Sequence, residues 1–203
     1  MKTRLIAILM AAGALGAAPI VINNTGLAAP GAVDPNWTIS SPAGSAFVTV
    51  VDGFPIGPWL ANSATSSWVQ PGGGSVDEHA AGTYTYQTTF SLAGLNAGTA
   101  QLNFRAAVDN DITAVRLNGN VVGFTNSGFG AFSSLFAVTN AAWFNAGVNT
   151  LQFDVVNAVG PPLNPTGFRV EISGTADVVT TPEPSTLLMA APALFALALR
   201  RRR

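Results

Sequence analysis

Two carboxylates stand two residues apart at Asp109 and Asp111, with Asn110 between them. On an extended backbone, residues i and i+2 share a face. The pair is therefore a candidate calcium site, since calcium is held by carboxylate and carbonyl oxygens. The plainer reading is a polar turn in which Asp and Asn side chains bond their own backbone. A glycosidase needs its two carboxyls across a cleft, about 5 to 9 Å apart, which neighbours on one loop do not supply. A second cluster, Asp77-Glu78-His79, holds the only histidine. One imidazole and two adjacent carboxylates make a poor zinc set. A Ser-His-Asp triad would have to use His79, and no Gly-Xaa-Ser-Xaa-Gly elbow accompanies it, so a solvated loop is the plain reading. Trp59 follows the loop-like "FPIGP", and Phe129 lies in "SGFGAF". Together they are a candidate platform for stacking a sugar ring, with sealing of a core as the alternative. Trp68 reads as core. With no cysteine in the chain, disulfides, thiolate metal sites and a thiol nucleophile are excluded.

The elements that carry these residues read as strands. In "GTYTYQTTFSL", Tyr84, Tyr86, Thr88 and Phe90 alternate with polar residues, the period-two pattern of a half-buried strand. "AQLNFRA" places Leu102, Phe104 and Ala106 on one face. "VNTLQFDVVNA" does so with Leu151, Phe153 and Val155, and "GFRVEISG" with Phe168, Val170 and Ile172. "AFVTVV" near residue 46 and "SSWVQ" are shorter candidates. Asn118-Gly119 between two apolar runs is a hairpin signal. Gly, Pro and Asn clusters separate the strands, and no sustained 3.6-residue period occurs between residues 34 and 176. The expected fold is all-β, an antiparallel jelly-roll β-sandwich, flanked by an N-terminal signal peptide and a short C-terminal membrane-associated helix.

Only 9% of residues are charged, against about a quarter in ordinary soluble domains. Between Ala29 and Thr181, three arginines face nine acids, a net charge of −6. Such a body cannot neutralise a row of phosphates, which excludes nucleic acid as a partner.

The two ends differ from the body. Lys2 and Arg4 precede the apolar run Leu5 to Met10 and a stretch of small residues, the layout of a secretory signal peptide. Small residues at Gly26 and Ala28 place its cleavage after Ala28, with a cut near Ala17 as the alternative. At the other end, Pro182-Glu183-Pro184-Ser185-Thr186 opens a 16-residue uncharged run, Pro184 to Leu199, that stops on Arg200, Arg201, Arg202 and Arg203. As a helix this run is about 24 Å long, short of a hydrocarbon core of about 30 Å, and Pro192 interrupts it. The arginines hold the C-terminus in the cytoplasm. The expected division is 1–28 signal peptide, 29–176 sandwich and 177–203 sorting tail.

The tail, from Pro182 through Thr186 to Arg200–Arg203, resembles the PEP-CTERM sorting signal of exported proteins in Gram-negative, polysaccharide-making bacteria. The resemblance implies recognition of the Pro-Glu-Pro motif by an exosortase-type membrane protease, tail removal, transient membrane anchoring, and delivery to the cell surface or matrix. The body, through "AAVDNDITAVRLNGNVVG", "FNAGVNTLQFDVVNA" and "NPTGFRVEISGTA", resembles the galactose-binding-like β-sandwich and the sugar-binding domains appended to glycosidases. With the tail, the leader, the acidic low-charge body and the absence of a catalytic constellation, the expected protein is non-catalytic, with extracellular polysaccharide as a candidate partner and no cofactor beyond the calcium candidate. The alternatives are a matrix glycosidase or esterase, and a structural or adhesive scaffold without sugar affinity.

Overall fold

The computed structural model describes residues 16–48, 57–72, 79–160 and 164–179. The sorting motif Pro182–Thr186, the arginines 200–203, the start of the leader, and Asp77 and Glu78 lie outside the described residues.

The chain is all-β. In order the strands are β1 (Ala17–Pro19), β2 (Val33–Ser41), β3 (Ala43–Val48), β4 (Val69–Gln70), β5 (Gly82–Ser91), β6 (Gln101–Asp109), β7 (Asp111–Leu117), β8 (Asn120–Val121), β9 (Asn126–Ser127), β10 (Phe136–Val138), β11 (Val148–Asn157) and β12 (Gly167–Asp177). Two 3-10 turns, Ala97–Thr99 and Ala141–Trp143, are each capped by an Asn side chain that accepts a backbone N–H. All strand pairs among the described residues are antiparallel, and the main path runs β10-β6-β12-β4-β3-β2-β5-β11-β7-β8. β4, only two residues long, and β3 link the two halves of the sheet, which curls over one main core.

Period-two alternation builds that core. Tyr86, Leu102, Phe104, Leu151, Phe153, Phe168 and Val170 are all buried. Rings from the two halves of the curled sheet meet: Phe153 lies 4.8 Å from Phe168 and 5.2 Å from Phe104, and Tyr86 lies 5.1 Å from Phe168, centroid to centroid. This is the interdigitation of facing sheets. The Asn118-Gly119 turn forms as expected. Both residues have positive φ, 51° and 83°, the backbone a two-residue hairpin demands. Asn118 also ties the turn down, donating to Trp143 O and to Asn149 Oδ1.

The body begins earlier than residue 29. Strand β1 pairs with β12 in the register Ala17 to Asp177, and Ile20 is buried in the core. Residues 20–26 continue along β12. Ile20 N donates to Gly174 O at 2.9 Å, Ile172 N to Asn24 Oδ1 at 2.7 Å, and Val170 N to Thr25 Oγ1 at 3.0 Å. Thr25, wholly buried, also donates its hydroxyl to Ser67 O. Gly26 N donates to Asp34 Oδ2 at 2.6 Å. Gly26 has φ +70°, and a Cβ there would fall 2.5 Å from Ser67 O, so only glycine fits. The boundary expected at 28/29 therefore runs through an integral segment. Its small apolar residues suit an edge strand as well as a leader, and composition does not separate the two. At the other end, β12 extends to Asp177 and Val179 N donates to Gly94 O, three residues past the expected 176.

Candidate functional site

The four residues singled out in the body converge on one corner. Asp109 ends β6, Asp111 opens β7, and the segment 126–130 runs beside both: Val108 N donates to Gly128 O, and Asp111 pairs with Ser127. Leu60 N donates to Phe129 O at 2.7 Å, bringing the Trp59 loop to the same place.

Trp59 does not form a sugar platform. It is 1% exposed and packs its ring on Trp68 with centroids 4.4 Å apart. Ala107, Leu60, Phe129 and Phe132 complete this satellite cluster. Its indole N–H donates to Asp109 Oδ2 at 2.9 Å. The corner therefore follows the core alternative: Trp59 and Phe129 meet, but as packing. Gly167, paired with Asp109 across the strands, makes room for the two indoles. A Cβ there would lie 2.6 and 2.7 Å from Trp59 Cζ3 and Cη2. Gly167→Ala should lower stability by about 2–3 kcal/mol, the cost of overpacking a tight site, read as a shifted urea midpoint with altered tryptophan emission.

Asp109 is 5% exposed. Burial, reinforced by the nearby Asp111 charge and only partly offset by the Trp59 hydrogen bond, pushes its carboxyl up to about 6. Among the described residues no third His, Cys, Asp or Glu joins the pair to make a metal cluster. Asn110 shapes the loop, accepting from Ala158 N and Asn164 Nδ2 on one oxygen. His79 sets its ring edge-on to Tyr84.

Beside Asp111 the surface opens into a cleft of about 550 Å³, lined by Asp111, Ile112, Thr113, Thr125, Asn126 and Ser127. Thr113 donates a long bond to Asp154 O, and Asn126 Nδ2 donates to Ala106 O. The Asp111 carboxylate, the Thr125 and Ser127 hydroxyls and Asn126 Oδ1 make no hydrogen bond to the described protein. Such a set offers donors and acceptors to a hydroxyl-rich ligand. Of these residues only Asp111 stands out in the sequence. The others sit on the short strand β9 and its flank, too brief to show a period.

A second depression, about 260 Å³, lies on the outer face of β6 and β12, lined by Asn24, Asn103, Arg105, Leu135, Glu171, Ile172 and Ser173. Arg105 and Glu171 stand opposite each other in register and form an ion pair.

No family model matches the sequence, and no curated protein matches it. Among solved structures, one similar chain is the carbohydrate-binding module CBM35 of Paenibacillus barcinonensis. It is 18% identical, covers 68% of this chain and 93% of its own, and superposes with a TM-score of 0.35. A likeness that distant carries no conclusion about ligand or activity.

Proposed function

We propose that this chain is an exported, non-catalytic jelly-roll β-sandwich that binds carbohydrate in the cleft beside Asp111, and that its tail is a sorting signal read by an exosortase-type membrane protease. The observation that carries the binding reading is the cleft's lining: the Asp111 carboxylate, the Thr125 and Ser127 hydroxyls and Asn126 Oδ1, whose hydrogen-bonding capacity the described residues leave unused. Sugar hydroxyls are matched by such donors and acceptors. A hydrolytic reading is disfavoured because the second carboxyl, Asp109, is buried and committed to Trp59, while glycoside cleavage needs two carboxyls facing one cleft. The sorting reading is supported by Pro182-Glu183-Pro184, the short apolar run and the four arginines. Export is supported by the leader pattern, with cleavage close to Ala17 rather than after Ala28, because residues 17–26 are bonded into the sandwich.

The full-length chain on a glycan array tests the binding reading. Retention of neutral glycans that is lost in Asp111→Ala and Thr125→Ala, both still folded, is the expected result. No retention would favour a scaffold without sugar affinity. Release of reducing sugar would show a glycosidase. For the tail, mass spectrometry of surface protein from the host should find no peptide from Leu187 to Arg203.

A further inference from the structure

The outer face of β6 and β12 holds a guanidinium that is half used. Arg105 donates from Nε and Nη2 to Glu171 Oε2 at 2.9 and 2.6 Å. This occupies its side-on edge and leaves the end-on edge, Nη1–H and the second Nη2–H, without a partner among the described residues. A guanidinium presents two such edges, and each matches one carboxylate in fork geometry. The group is held rigidly. Its face rests on the Phe132 ring at 4.6 Å. Glu171 in turn accepts the Thr65 and Ser66 hydroxyls on its other oxygen. Partial burial works against the Glu171 charge, but the hydrogen bonds from Arg105, Ser66 and Thr65 hold its carboxyl below the usual range.

The neighbours complete a recognition surface. Asn103 and Ser173 face each other across the strands, and neither side chain makes a hydrogen bond to the described protein. Leu135, 68% exposed, adds an apolar wall beside them. A second cation, Arg169, is buried under the same Phe132 ring and bound to Ser63, Ser66 and the Ala61 carbonyl. Two cations against one anion give this patch an excess of +1, inside a body whose net charge is −6. The charge favours an anionic ligand here and repels it elsewhere.

We propose that this face is a second binding site, separate from the Asp111 cleft, for a glycan that carries carboxylate groups. The carboxylate takes the end-on edge of Arg105. Ring hydroxyls meet Asn103 and Ser173, and the C–H face of the sugar lies on Leu135. Glu171 is a positioning residue, since Oε2 already accepts from Arg105 and Oε1 from Thr65 and Ser66.

Titration calorimetry of the full-length chain with polygalacturonate and with neutral dextran, at low salt, tests this. The chain should bind polygalacturonate more tightly than dextran, and Arg105→Gln should weaken that affinity about ten- to a hundredfold, the worth of one charge-assisted pair. Asn103→Leu, which keeps the ion pair and fills the groove, should weaken it as well without moving the melting temperature. Glu171→Gln should weaken it less than Arg105→Gln does. Polygalacturonate affinity that survives both Arg105→Gln and Asn103→Leu but falls with Asp111→Ala would overturn the second site and leave the cleft standing. Loss in the Arg105 and Asn103 variants, with no dextran or array binding at all, would support this site and sink the cleft. No measurable affinity for polygalacturonate overturns the proposal.

Discussion

A chain that starts at residue 17 is expected to fold, and one that starts at residue 29 is not. The shorter form loses β1 and the whole 20–26 segment. The N–H groups of Val170 and Ile172 and the carbonyls of Val170 and Gly174 would then lose their partners. Each buried backbone group left unpaired costs about 1–3 kcal/mol. Ile20 is removed from the core, at roughly 2–5 kcal/mol if its place becomes a cavity. Trp37 Nε1 loses the Asn23 carbonyl, and Asp34 loses Gly26 N. The sum reaches the whole stability of an ordinary domain, about 5–15 kcal/mol. Far-ultraviolet circular dichroism and a urea melt of the two truncations, both ending at residue 179, are the measurement. A cooperative transition in the 29–179 form, close to that of 17–179, would contradict the role given to the segment. Thr25→Ala is a milder probe. It should cost about 2–3 kcal/mol, because a buried hydroxyl that both donates and accepts is replaced by nothing.

The second large effect is in pH. Asp109 has a folded-state pKa of about 6, against about 3.9 for an unfolded aspartate. The folded protein therefore binds this proton more tightly than the unfolded chain does. Its contribution to stability is fully present below about pH 4 and is lost as pH rises through about 6. The gap between the folded and unfolded values is worth about 3 kcal/mol, at roughly 1.4 kcal/mol for each tenfold change in proton affinity. Asp109→Asn keeps an acceptor for Trp59 Nε1 without the buried charge. It should be more stable than the parent at pH 7.5, and the difference should shrink to nearly nothing at pH 4. Glu171 does not confuse this comparison, because its lowered pKa acts at the acid end and is the same in both proteins. A parent-minus-variant difference that stays flat between pH 4 and 7.5 would show that Asp109 is not buried as the structure has it.

Much of the sheet can be read from single strands. β5, β6, β11 and β12 alternate cleanly because one face of each packs on the core. Asn118-Gly119 announces its hairpin because few other pairs tolerate two positive φ values. Strand β2 is harder to see, although Trp37 and Ile39 alternate with Asn36, Thr38 and Ser40. Residues 17–28 read as leader for want of any compositional difference. The site is less legible still, for a physical reason: its contacts are non-local. Trp59 and Asp109 meet across fifty residues and Arg105 and Glu171 across sixty-six. No periodicity within a strand encodes a partner that strand register alone supplies. Once β6 is set against β12, the outward places of Asn103, Arg105, Glu171 and Ser173 follow from alternation.

Strand β12 has Asp109 beside its first residue and Ala17 beside its last. Its ten steps at about 3.3 Å each amount to about 33 Å. The strand thus acts as a spacer bar, with the Asp109–Asp111 corner at one tip and residues 17 and 177 at the other. A copy held by its tail would carry the corner at the distal tip, reaching away from whatever holds it. Residues 17 and 177, meanwhile, lie one strand spacing apart. A pull on residue 17 would load the short β1–β12 ladder, and a pull on residue 179 the contacts of Val178 and Val179 with Leu95 and Gly94, so either would open this end first while the corner stayed whole.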